Sequence, residues 1–428
     1  MSQSSRRTFL RDIALTGWAA SVAPMVPAQS QEPAASKLPI SGTDQPELAR
    51  FDDMVSAFVR EQQVPGAAMA VTAGKRLVYA RGFGLGDRER GRPVQPTDLF
   101  RIASISKTLT TVAILQLVES ARLDVNATVW SVLDLPQPAD PRWKAVSIWH
   151  LLHHTGGWDD AVFDPMFQAA RIARALNTPL PIDQHAIIRY MLGVPLQFDP
   201  GERFAYSNFG YCLLGRVIER VTGEPYGQAV QRSVLAPLGI GRMRLGRTLA
   251  SQRVETEVTY YDEKNRTAAA VVGSIGERVP LPYGAWSLEA MAAPGGWLAS
   301  AVDLVRFAAA FDDPVNCPIL QPKTIGLMVE RPQGPAGVEV GGNYPGCAWF
   351  VWPRADTPHK AYLSANGQLA RSASYLMRRH DGMNWAVLFN TANGIDGKPL
   401  MIKFRDRVHT AIDNTRNWPA LDQFANLR

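Results

Sequence analysis

The chain has 428 residues, with 45 lysines and arginines against 39 aspartates and glutamates, which gives a formal charge of +6. This mild basic excess is spread along the sequence rather than clustered, so the composition gives no support for nucleic-acid binding. The length allows two or three domains. No Cys/His spacing is typical of a zinc site, and we predict no metal and no other cofactor.

Residues 1–28 are predicted to be a twin-arginine export signal. Arg6 and Arg7 stand before a Phe-Leu pair, a modest apolar segment covers 13–26, and small residues suited to signal-peptidase cleavage end at Ala28. This order of features indicates a bacterial protein that is periplasmic or secreted; the alternative is a basic disordered tail. The apolar segment is shorter than the ~20 residues of a stable membrane span, and no other stretch approaches that length.

The segments that follow the signal predict a leader, one helix and one hairpin. Residues 29–45 are rich in Pro, Gln, Ser and Ala and are predicted to be a flexible leader. An amphipathic helix is predicted over 46–63, because apolar residues recur on one face at helical spacing. Apolar runs at 67–72 and 77–83, separated by a turn at 73–75, predict a β-hairpin.

Ser104 and Lys107 stand three residues apart at the start of a strongly apolar run, 109–118. The run is apolar almost all round and is predicted to be a buried helix, so the hydroxyl and the amine can share one face. A buried lysine loses its proton easily, and the neutral amine can activate a serine hydroxyl as a nucleophile. The alternative makes Ser104 a helix N-cap and Lys107 a surface residue, but the apolar turns that follow argue against an exposed helix.

Tyr206 and Asn208 stand just before another helix, at the end of the turn-forming segment 199–208. That helix has apolar residues at helical spacing and ends at Gly223. A phenol near a lysine can act as a general acid or base, and an amide can orient a substrate carbonyl. The alternative is a core aromatic residue at 206 and an N-cap at 208.

His150, His153 and His154 recur at the i, i+3 and i+4 positions of a helix, a spacing compatible with a metal site. Gly156 and Gly157 follow at once and mark the end of that helix, where histidines suit the negative end of the helix dipole. We therefore predict a structural role for the three histidines rather than a metal site.

The three cysteines lie in two kinds of sequence. Cys212 lies in an apolar helical run and is predicted to pack as a small hydrophobic residue. Cys317 and Cys347 lie in Pro/Gly-rich sequence, and an oxidising periplasm would permit a disulfide between them, although their spacing does not establish one.

The end of the chain completes the predicted fold. Three strands are predicted at 361–363, 372–378 and 385–390. A helix at 399–413 and a tail at 414–428 follow them. Strands therefore lie at both ends of the sequence, and the stretch between them, about 104–310, is mainly helical. The simplest arrangement is one antiparallel sheet built from both chain ends, with the terminal helices on one face and the helical region on the other. We predict an α/β fold of this α+β type, in one domain over 46–413.

Several motifs resemble the serine β-lactamase and penicillin-binding-protein superfamily. Residues 100–108 resemble its nucleophile helix with the Ser-x-x-Lys element, and 206–208 are similar to the Tyr-x-Asn element of its class C branch. That branch includes family VIII esterases, D-Ala-D-Ala carboxypeptidases and D-aminopeptidases. Further matches in order and spacing are the segments 150–157, 235–239 and 294–298, with Asp303. The likeness covers roughly residues 50–400 and implies a β-lactamase/transpeptidase-like fold.

The resemblance implies a role for each motif residue. Ser104 would be the acylated nucleophile and Lys107 its proton partner. Tyr206 would be the general base that activates Ser104 and later the deacylating water. Asn208 would hold the carbonyl region of the substrate.

The third element of that superfamily, Lys-Thr-Gly or His-x-Gly, corresponds best to Ala365-Asn366-Gly367. The glycine is present, but alanine occupies the position of the lysine or histidine. The backbone N–H of Gln368 could still pair with that of Ser104 as an oxyanion hole. Without the basic group, an acyl ester is a better fit than a penicillin or a peptidoglycan stem. A tight Asn-Gly turn is the alternative for this segment.

The sequence therefore predicts an exported serine hydrolase that forms an acyl-enzyme on small-molecule ester or amide substrates, with an esterase favoured. A β-lactamase or D-Ala-D-Ala carboxypeptidase, acting on a peptidoglycan-like substrate, is the second interpretation. The missing basic residue at 365 also motivates a hypothesis of another class, a cell-wall ligand-binding homologue without turnover. The sequence carries no signal for an oligomeric state.

Overall fold

The main sheet is assembled from both ends of the chain. The structure, a computed structural model, describes residues 37–262, 264–339, 341–353 and 360–427, so the predicted export signal and the start of the leader lie outside the described residues. Contacts group Leu38–Arg428 into one unit. Its strands are β1 (Ile40–Ser41), β2 (Gly66–Ala73), β3 (Arg76–Asp87), β4 (Arg92–Pro93), β5 (Phe100–Arg101), β6 (Arg244–Leu245), β7 (Thr267–Ala269), β8 (Arg278–Pro280), β9 (Trp297–Ala299), β10 (Tyr344–Pro345), β11 (Phe350–Trp352), β12 (Tyr362–Leu369), β13 (Ser372–Arg378) and β14 (Met383–Phe389).

The strand order of the main sheet is β1-β3-β2-β14-β13-β12-β11-β10, and β4 pairs with β3. All of these pairs are antiparallel. Strands β2 and β14 join the two ends of the chain, with Ala67 opposite Phe389 and Ala73 opposite Met383. The predicted antiparallel sheet from both chain ends is therefore confirmed.

The residues of β14 divide between the two faces of the sheet. Trp385, Val387 and Phe389 belong to one buried cluster, whereas Ala386 and Leu388 belong to another. Successive side chains of a strand point to opposite faces, so a strand that is buried at every position, as β14 is, must be covered on both sides. Helices supply that cover on each face.

The helices flank the main sheet in two groups. They are α1 (Ala49–Glu61), α2 (Ser106–Glu119), α3 (Val129–Leu133), α4 (Ile148–Leu152), α5 (Ala169–Ala175), α6 (Gln184–Met191), α7 (Asn208–Thr222), α8 (Tyr226–Val230), α9 (Ala292–Gly295), α10 (Ala301–Ala309), α11 (Pro322–Met328) and α12 (Leu400–Asp413). The terminal helices α1 and α12 cover one face, where the ring centroid of Phe58 lies 4.7 Å from that of Phe404. The other face packs against α10, and the buried cluster on that side continues into α2 and α7. Within the described ranges, no helix is long and apolar enough to cross a membrane.

Helix α2 lies at the centre of the helical region. Leu109, Val112, Ile114 and Leu115 are completely buried, although they point in different directions around the helix. A helix that is apolar on every side needs neighbours on every side, as predicted from the run that follows Lys107. The buried helix at this position is therefore confirmed.

Two end segments differ from the sequence predictions. Residues 29–45 are predicted to be a flexible leader, but Ile40–Ser41 pair with β3 as an edge strand. The predicted tail, 414–428, also returns to β3, where the backbone N–H of Leu77 donates to Asp422 Oδ1 over 3.0 Å. Both segments provide hydrogen-bond partners along the outer edge of β3. Local composition cannot predict this pairing, because the partners are distant in the sequence.

The three cysteines are unpaired. Cys347 is buried, with its Sγ 3.5 Å from His153 Nε2, whereas Cys317 is only half-buried. The disulfide that the sequence would permit is therefore not formed. Cys212 is buried within α7, as predicted from its apolar surroundings.

Candidate active site

Ser104 lies in the short turn that connects β5 to α2. A small sheet, β5-β9-β6, brings the chain to this point, with Phe100 of β5 opposite Ala299 of β9. Ala103 adopts φ +49°, in the left-handed region that costs a non-glycine residue about 1–2 kcal/mol. Neither the 3₁₀ turn Ala103–Ile105 nor α2 has a side-chain cap. The N-cap alternative for Ser104 is therefore wrong.

Lys107 is enclosed by protein, with only 1% of its surface exposed. Its Nζ lies 2.8 Å from Asn208 Oδ1, 2.7 Å from the backbone oxygen of Pro294 and 3.2 Å from Ser104 Oγ. The alternative of a surface lysine is therefore wrong. The i, i+3 spacing predicted from the sequence does bring the amine to the serine hydroxyl.

The surroundings of Lys107 favour a neutral amine. Burial lowers the pKa of Lys107 to about 7, because the ammonium form loses its hydration. A neutral amine has two N–H groups and one lone pair. The two shorter contacts, to Asn208 Oδ1 and to the Pro294 oxygen, use the N–H groups. The lone pair is then left for Ser104 Oγ, which is the arrangement a proton acceptor needs.

Tyr206 contacts Ser104 from the opposite side. The Tyr206 hydroxyl lies 2.5 Å from Ser104 Oγ. The ring of His154 stacks against the phenol ring at a centroid distance of 4.6 Å. Burial raises the pKa of Tyr206 above its ordinary value, so the phenol holds its proton and donates it to Oγ as a hydrogen bond.

Asn208 is directed into the protein. Its Oδ1 accepts from Lys107, its Nδ2 donates to Asp164 Oδ2 over 2.8 Å, and its backbone N–H donates to Asp160 Oδ2 over 2.7 Å. The side chain that caps α7 is that of Ser207, so the N-cap alternative for Asn208 is wrong. The amide oxygen is oriented towards the Lys107 amine, and the expectation that Asn208 holds a substrate carbonyl stays a prediction.

Ser104, Lys107 and Tyr206 meet at one wall of a cavity of about 290 Å³, the catalytic cavity. The other walls are mostly apolar or aromatic and are formed by His154, Phe204, Pro345, Gly346, Ala348, Trp349, Phe350, Asn366 and Gln368. A second cavity of about 380 Å³, the adjoining cavity, shares Phe204, Pro345, Phe350 and Asn366 with it. Among the described residues that line the catalytic cavity, Lys107 is the only lysine or arginine, and its amine is already held.

The candidate third motif lies on β12. Residues 365–368 are in continuous register with β13, so the tight-turn alternative is wrong. Alternation along the strand buries Ala365 and turns Asn366 and Gln368 towards the catalytic cavity. The structure therefore brings the predicted third element to the site without a basic side chain at 365.

Gly367 allows β12 to approach the nucleophile turn. A Cβ at this position would lie 2.1 Å from the backbone oxygen of Ile102 and 3.0 Å from Ala103 Cβ. The hydroxyl of Ser374 on β13 donates to the same Ile102 oxygen over 2.8 Å. Only glycine permits this spacing, which sets the distance between β12 and Ser104.

The three histidines near Gly156 occupy three different environments. His150 forms a capping box with Ser147 at the start of α4, and His153 contacts Cys347. His154 supports Tyr206, and burial lowers its pKa, so the ring is neutral. In the part of the chain that the structure describes, no group of three His, Cys, Asp or Glu side chains is placed to hold a metal ion.

Sequence reasoning missed Asp160 and Asp164, which stand behind the site. Burial raises the pKa of both carboxyls, and each lies near Lys107 through Asn208. They follow the Gly-Gly pair in a loop, where neither helical nor strand periodicity applies. The one available signal is that both carboxyls follow within seven residues of the matched segment 150–157.

The chain belongs to the β-lactamase family, since the family model described as Beta-lactamase matches residues 51–409. Esterase EstB from Burkholderia gladioli is 31% identical over 386 residues, which cover 84% of this chain and 95% of EstB. Penicillin-binding protein 4* from Bacillus subtilis is 30% identical over 199 residues, 46% of this chain and 41% of that protein. The solved structure of EstCE1, a hydrolase with promiscuous acyltransferase activity, has a TM-score of 0.66 at 23% identity, covering 86% of this chain and 98% of EstCE1. The protein is a serine hydrolase of this family, and the resemblance drawn from the motifs is confirmed.

Proposed function

We propose that the protein hydrolyses carboxylic esters with apolar substituents through an acyl-enzyme at Ser104. One observation carries the proposal: Ser104 Oγ is held between Tyr206 and Lys107 at the wall of an apolar, aromatic cavity. The likeness to esterase EstB over nearly its whole length supports the same substrate class.

Lys107 is the proton acceptor in this proposal. Because burial raises the pKa of Tyr206 and lowers that of Lys107, we assign to Lys107 the base role that the family resemblance gives to Tyr206. The proton of Ser104 passes to Nζ as Oγ bonds to the acyl carbon. Tyr206 donates a hydrogen bond to Oγ and keeps it aligned.

Two backbone N–H groups would stabilise the oxyanion, those of Ser104 and Gln368. The close approach that Gly367 permits supports this pairing, because it brings β12 beside the nucleophile turn. Donors fixed at the developing negative charge typically contribute about 10²–10³-fold each to the rate.

The cycle closes without a further group. The ester C–O bond breaks, and the leaving alcohol oxygen takes the proton from the Lys107 ammonium. Lys107 then accepts a proton from water as the water oxygen attacks the acyl carbon. Ser104 Oγ leaves, recovers that proton from Lys107, and the carboxylic acid is released.

The catalytic cavity favours esters over substrates that carry a carboxylate, because its described lining residues offer no free cationic side chain. Ala365 supplies no charge, and Arg405 in the adjoining cavity pairs with Asp406 at 2.9 Å. A β-lactamase or D-Ala-D-Ala carboxypeptidase remains the second candidate, favoured by the partial likeness to penicillin-binding protein 4*. A ligand-binding homologue without turnover is the third.

A substrate panel separates these candidates. Purified protein is assayed with p-nitrophenyl esters of increasing acyl length, with nitrocefin and with a D-alanyl-D-alanine dipeptide. We expect turnover of the esters and at least about a hundredfold lower kcat/KM for the other two substrates. Faster hydrolysis of nitrocefin or of the dipeptide would contradict the esterase proposal, and binding without turnover of any substrate would support the third candidate.

We also propose that the protein is exported through the twin-arginine route. Support comes from Arg6, Arg7 and the apolar and small-residue segments that follow them. Replacing both arginines by lysine should retain the protein in the bacterial cytoplasm, as followed by cell fractionation. An unchanged periplasmic fraction would contradict this proposal.

A further inference from the structure

The loop between α4 and α5 carries two buried carboxyl groups behind the catalytic lysine. We propose that Asp160 and Asp164 are positioning residues for the reaction: they hold Asn208 against Lys107 and stabilise the positive charge that Lys107 acquires from the serine. This inference depends on the proposed function and extends it to residues that do not touch the substrate.

Hydrogen bonds on Asn208 carry the first part of the inference. Its backbone N–H donates to Asp160 Oδ2 and its Nδ2 donates to Asp164 Oδ2. Both donors of this residue are therefore directed to one acidic pair, which leaves Oδ1 pointing at Lys107 Nζ, 2.8 Å away. Asp160 holds the backbone of Asn208 and Asp164 holds its side-chain amide at Nδ2, so the two carboxyls together fix the direction in which Oδ1 meets Lys107.

The same loop is tied to the tyrosine. The backbone N–H of Asp160 donates to the backbone oxygen of Tyr206 over 2.9 Å. A displacement of Asp160 would therefore reach Tyr206 as well as Asn208. One loop residue thus contacts both halves of the Tyr-x-Asn element, directly and without an intervening side chain.

The charge of Asp160 and Asp164 supports the second part of the inference, the stabilisation of protonated Lys107. The titratable side chains that face Lys107 are Tyr206 and Tyr211, whose ring centroids lie 4.8 and 5.6 Å from Nζ, together with His154, Asp160 and Asp164. Burial keeps the two phenols and the imidazole neutral. Among these described groups, only the two carboxyls can supply negative charge at neutral pH.

The two carboxyls are not equivalent. Asp164 Oδ1 also accepts from the backbone N–H of Met166, at the start of a 3₁₀ turn, so this residue has a structural task as well. Asp160 Oδ1 is buried and has no hydrogen-bond partner. A buried carboxylate oxygen without a donor is costly, and burial raises the pKa of Asp160. The positive charge of Lys107 acts in the opposite direction on this pKa, so ionised Asp160 and protonated Lys107 stabilise each other.

The test follows the reactivity of Ser104 against pH. The rate of labelling by a fluorophosphonate probe is measured from pH 5 to 9 for the wild type, Asp160→Asn and Asp164→Asn. Asparagine retains an acceptor for the hydrogen bonds but removes the charge. Without that charge Lys107 loses its proton more readily, so the acid limb of the rate should move to lower pH by about half a unit to one unit. The plateau rate should fall by about tenfold, because the protonated lysine loses its balancing charge.

Asp159→Asn is the matched control. Asp159 precedes Asp160 directly but pairs with Arg203, 3.3 Å away, and does not bond to Asn208. Its acid limb should move less than that of Asp160→Asn, because the charge of Asp159 acts on Asp160 rather than directly on Lys107. With the ester substrate, Asp160→Asn should lower kcat and leave KM within about twofold, because neither carboxyl contacts substrate.

The outcomes separate this inference from the proposed function. An acid limb and a plateau unchanged in both Asp160→Asn and Asp164→Asn, with wild-type thermal stability, would overturn the inference alone. Wild-type protein that is not labelled at Ser104 would overturn the proposed function and the inference with it. If Asp160→Asn does not fold, the acid limb and the plateau of the labelling rate in Asp164→Asn decide whether the inference holds.

Discussion

The two faces of the main sheet bury different kinds of side chain. On the face covered by α1 and α12, the aromatic rings of Phe58, Phe389 and Phe404 pack against one another at tilted or edge-to-face angles, with centroids 4.7–5.8 Å apart. On the other face, the core around α2 encloses Lys107 and Asn208, at a cost in desolvation that only hydrogen bonds offset. The first face contributes stability, and the second uses part of that stability to hold reactive groups out of water.

The largest effect on activity should follow Ser104→Ala. Removing the nucleophile should lower kcat/KM for an ester by roughly 10⁴-fold or more. Because Ser104 caps no helix, the free energy of unfolding should change by no more than about 1 kcal/mol. Ester hydrolysis and thermal unfolding measure the two quantities.

Ser106→Ala is the matched control for that variant. Ser106 is the first residue of α2, two positions after Ser104, is completely buried, and accepts from the backbone N–H of Trp297 over 3.2 Å. Its loss should cost about 1–2 kcal/mol of stability with activity within a few-fold of wild type. Equal activity of Ser104→Ala and Ser106→Ala would remove the basis for the nucleophile assignment.

Lys107→Met comes next in size. Loss of the proton acceptor should lower kcat/KM by about 10³-fold, in the upper range for a general base. Stability should change by no more than about 2 kcal/mol, since the two lost hydrogen bonds are offset by a smaller desolvation cost. A variant with wild-type kcat/KM would show that another group accepts the serine proton.

Gly367→Ala should affect both properties. The added Cβ would lie 2.1 Å from the Ile102 oxygen and would push β12 away from the nucleophile turn. We expect kcat/KM to fall by about 10²-fold and stability by about 1–3 kcal/mol. Gly326→Ala in α11 is the control, because its Cβ would meet no atom within 4 Å. A mild effect at 367, like that expected at 326, would contradict the proposed oxyanion geometry.

The pH dependence of kcat/KM should follow the ionisation of the Lys107 amine. Because burial lowers the pKa of this amine to about 7, the proton-accepting form predominates above that pH and is depleted below it. In the wild type, kcat/KM should therefore fall about tenfold for each pH unit below that value. A profile that stays flat down to pH 5 would exclude a neutral lysine as the acceptor.

The smallest effect on activity should come from the other face. Phe404→Ala removes a completely buried ring from the contact with Phe58 and should cost about 3–5 kcal/mol of stability. The kcat/KM of the folded protein should stay within about twofold of wild type, because this face holds none of the reacting groups. A large loss of kcat/KM at temperatures where the variant is folded would show that the two faces are coupled.

The same contrast explains what the sequence could predict. The strands, the buried helix and the contact between Ser104 and Lys107 depend on periodicity or on an i, i+3 spacing, and these are local. The contact of Tyr206 with Ser104 spans about a hundred residues and was available only through the order of motifs. That resemblance gave the correct family.

Local sequence patterns could not predict the residues that act through tertiary contacts. The backbone and the side chain of Asn208 are held by Asp160 and Asp164 respectively, which lie in a loop more than forty residues earlier. Ile40–Ser41 and the C-terminal segment form hydrogen bonds with the outer edge of β3. None of these arrangements has a periodic signal, since each depends on which surfaces the folded sheet leaves available.

The central claim is that burial of Lys107 and its contact with Ser104 make this one hydroxyl reactive. Intact-mass analysis after exposure to a fluorophosphonate, followed by peptide mapping, tests it most directly. We predict a single adduct on Ser104 that forms in the wild type and is absent from Ser104→Ala. Well-folded wild-type protein that gains no adduct, or gains it on another residue, would contradict the account.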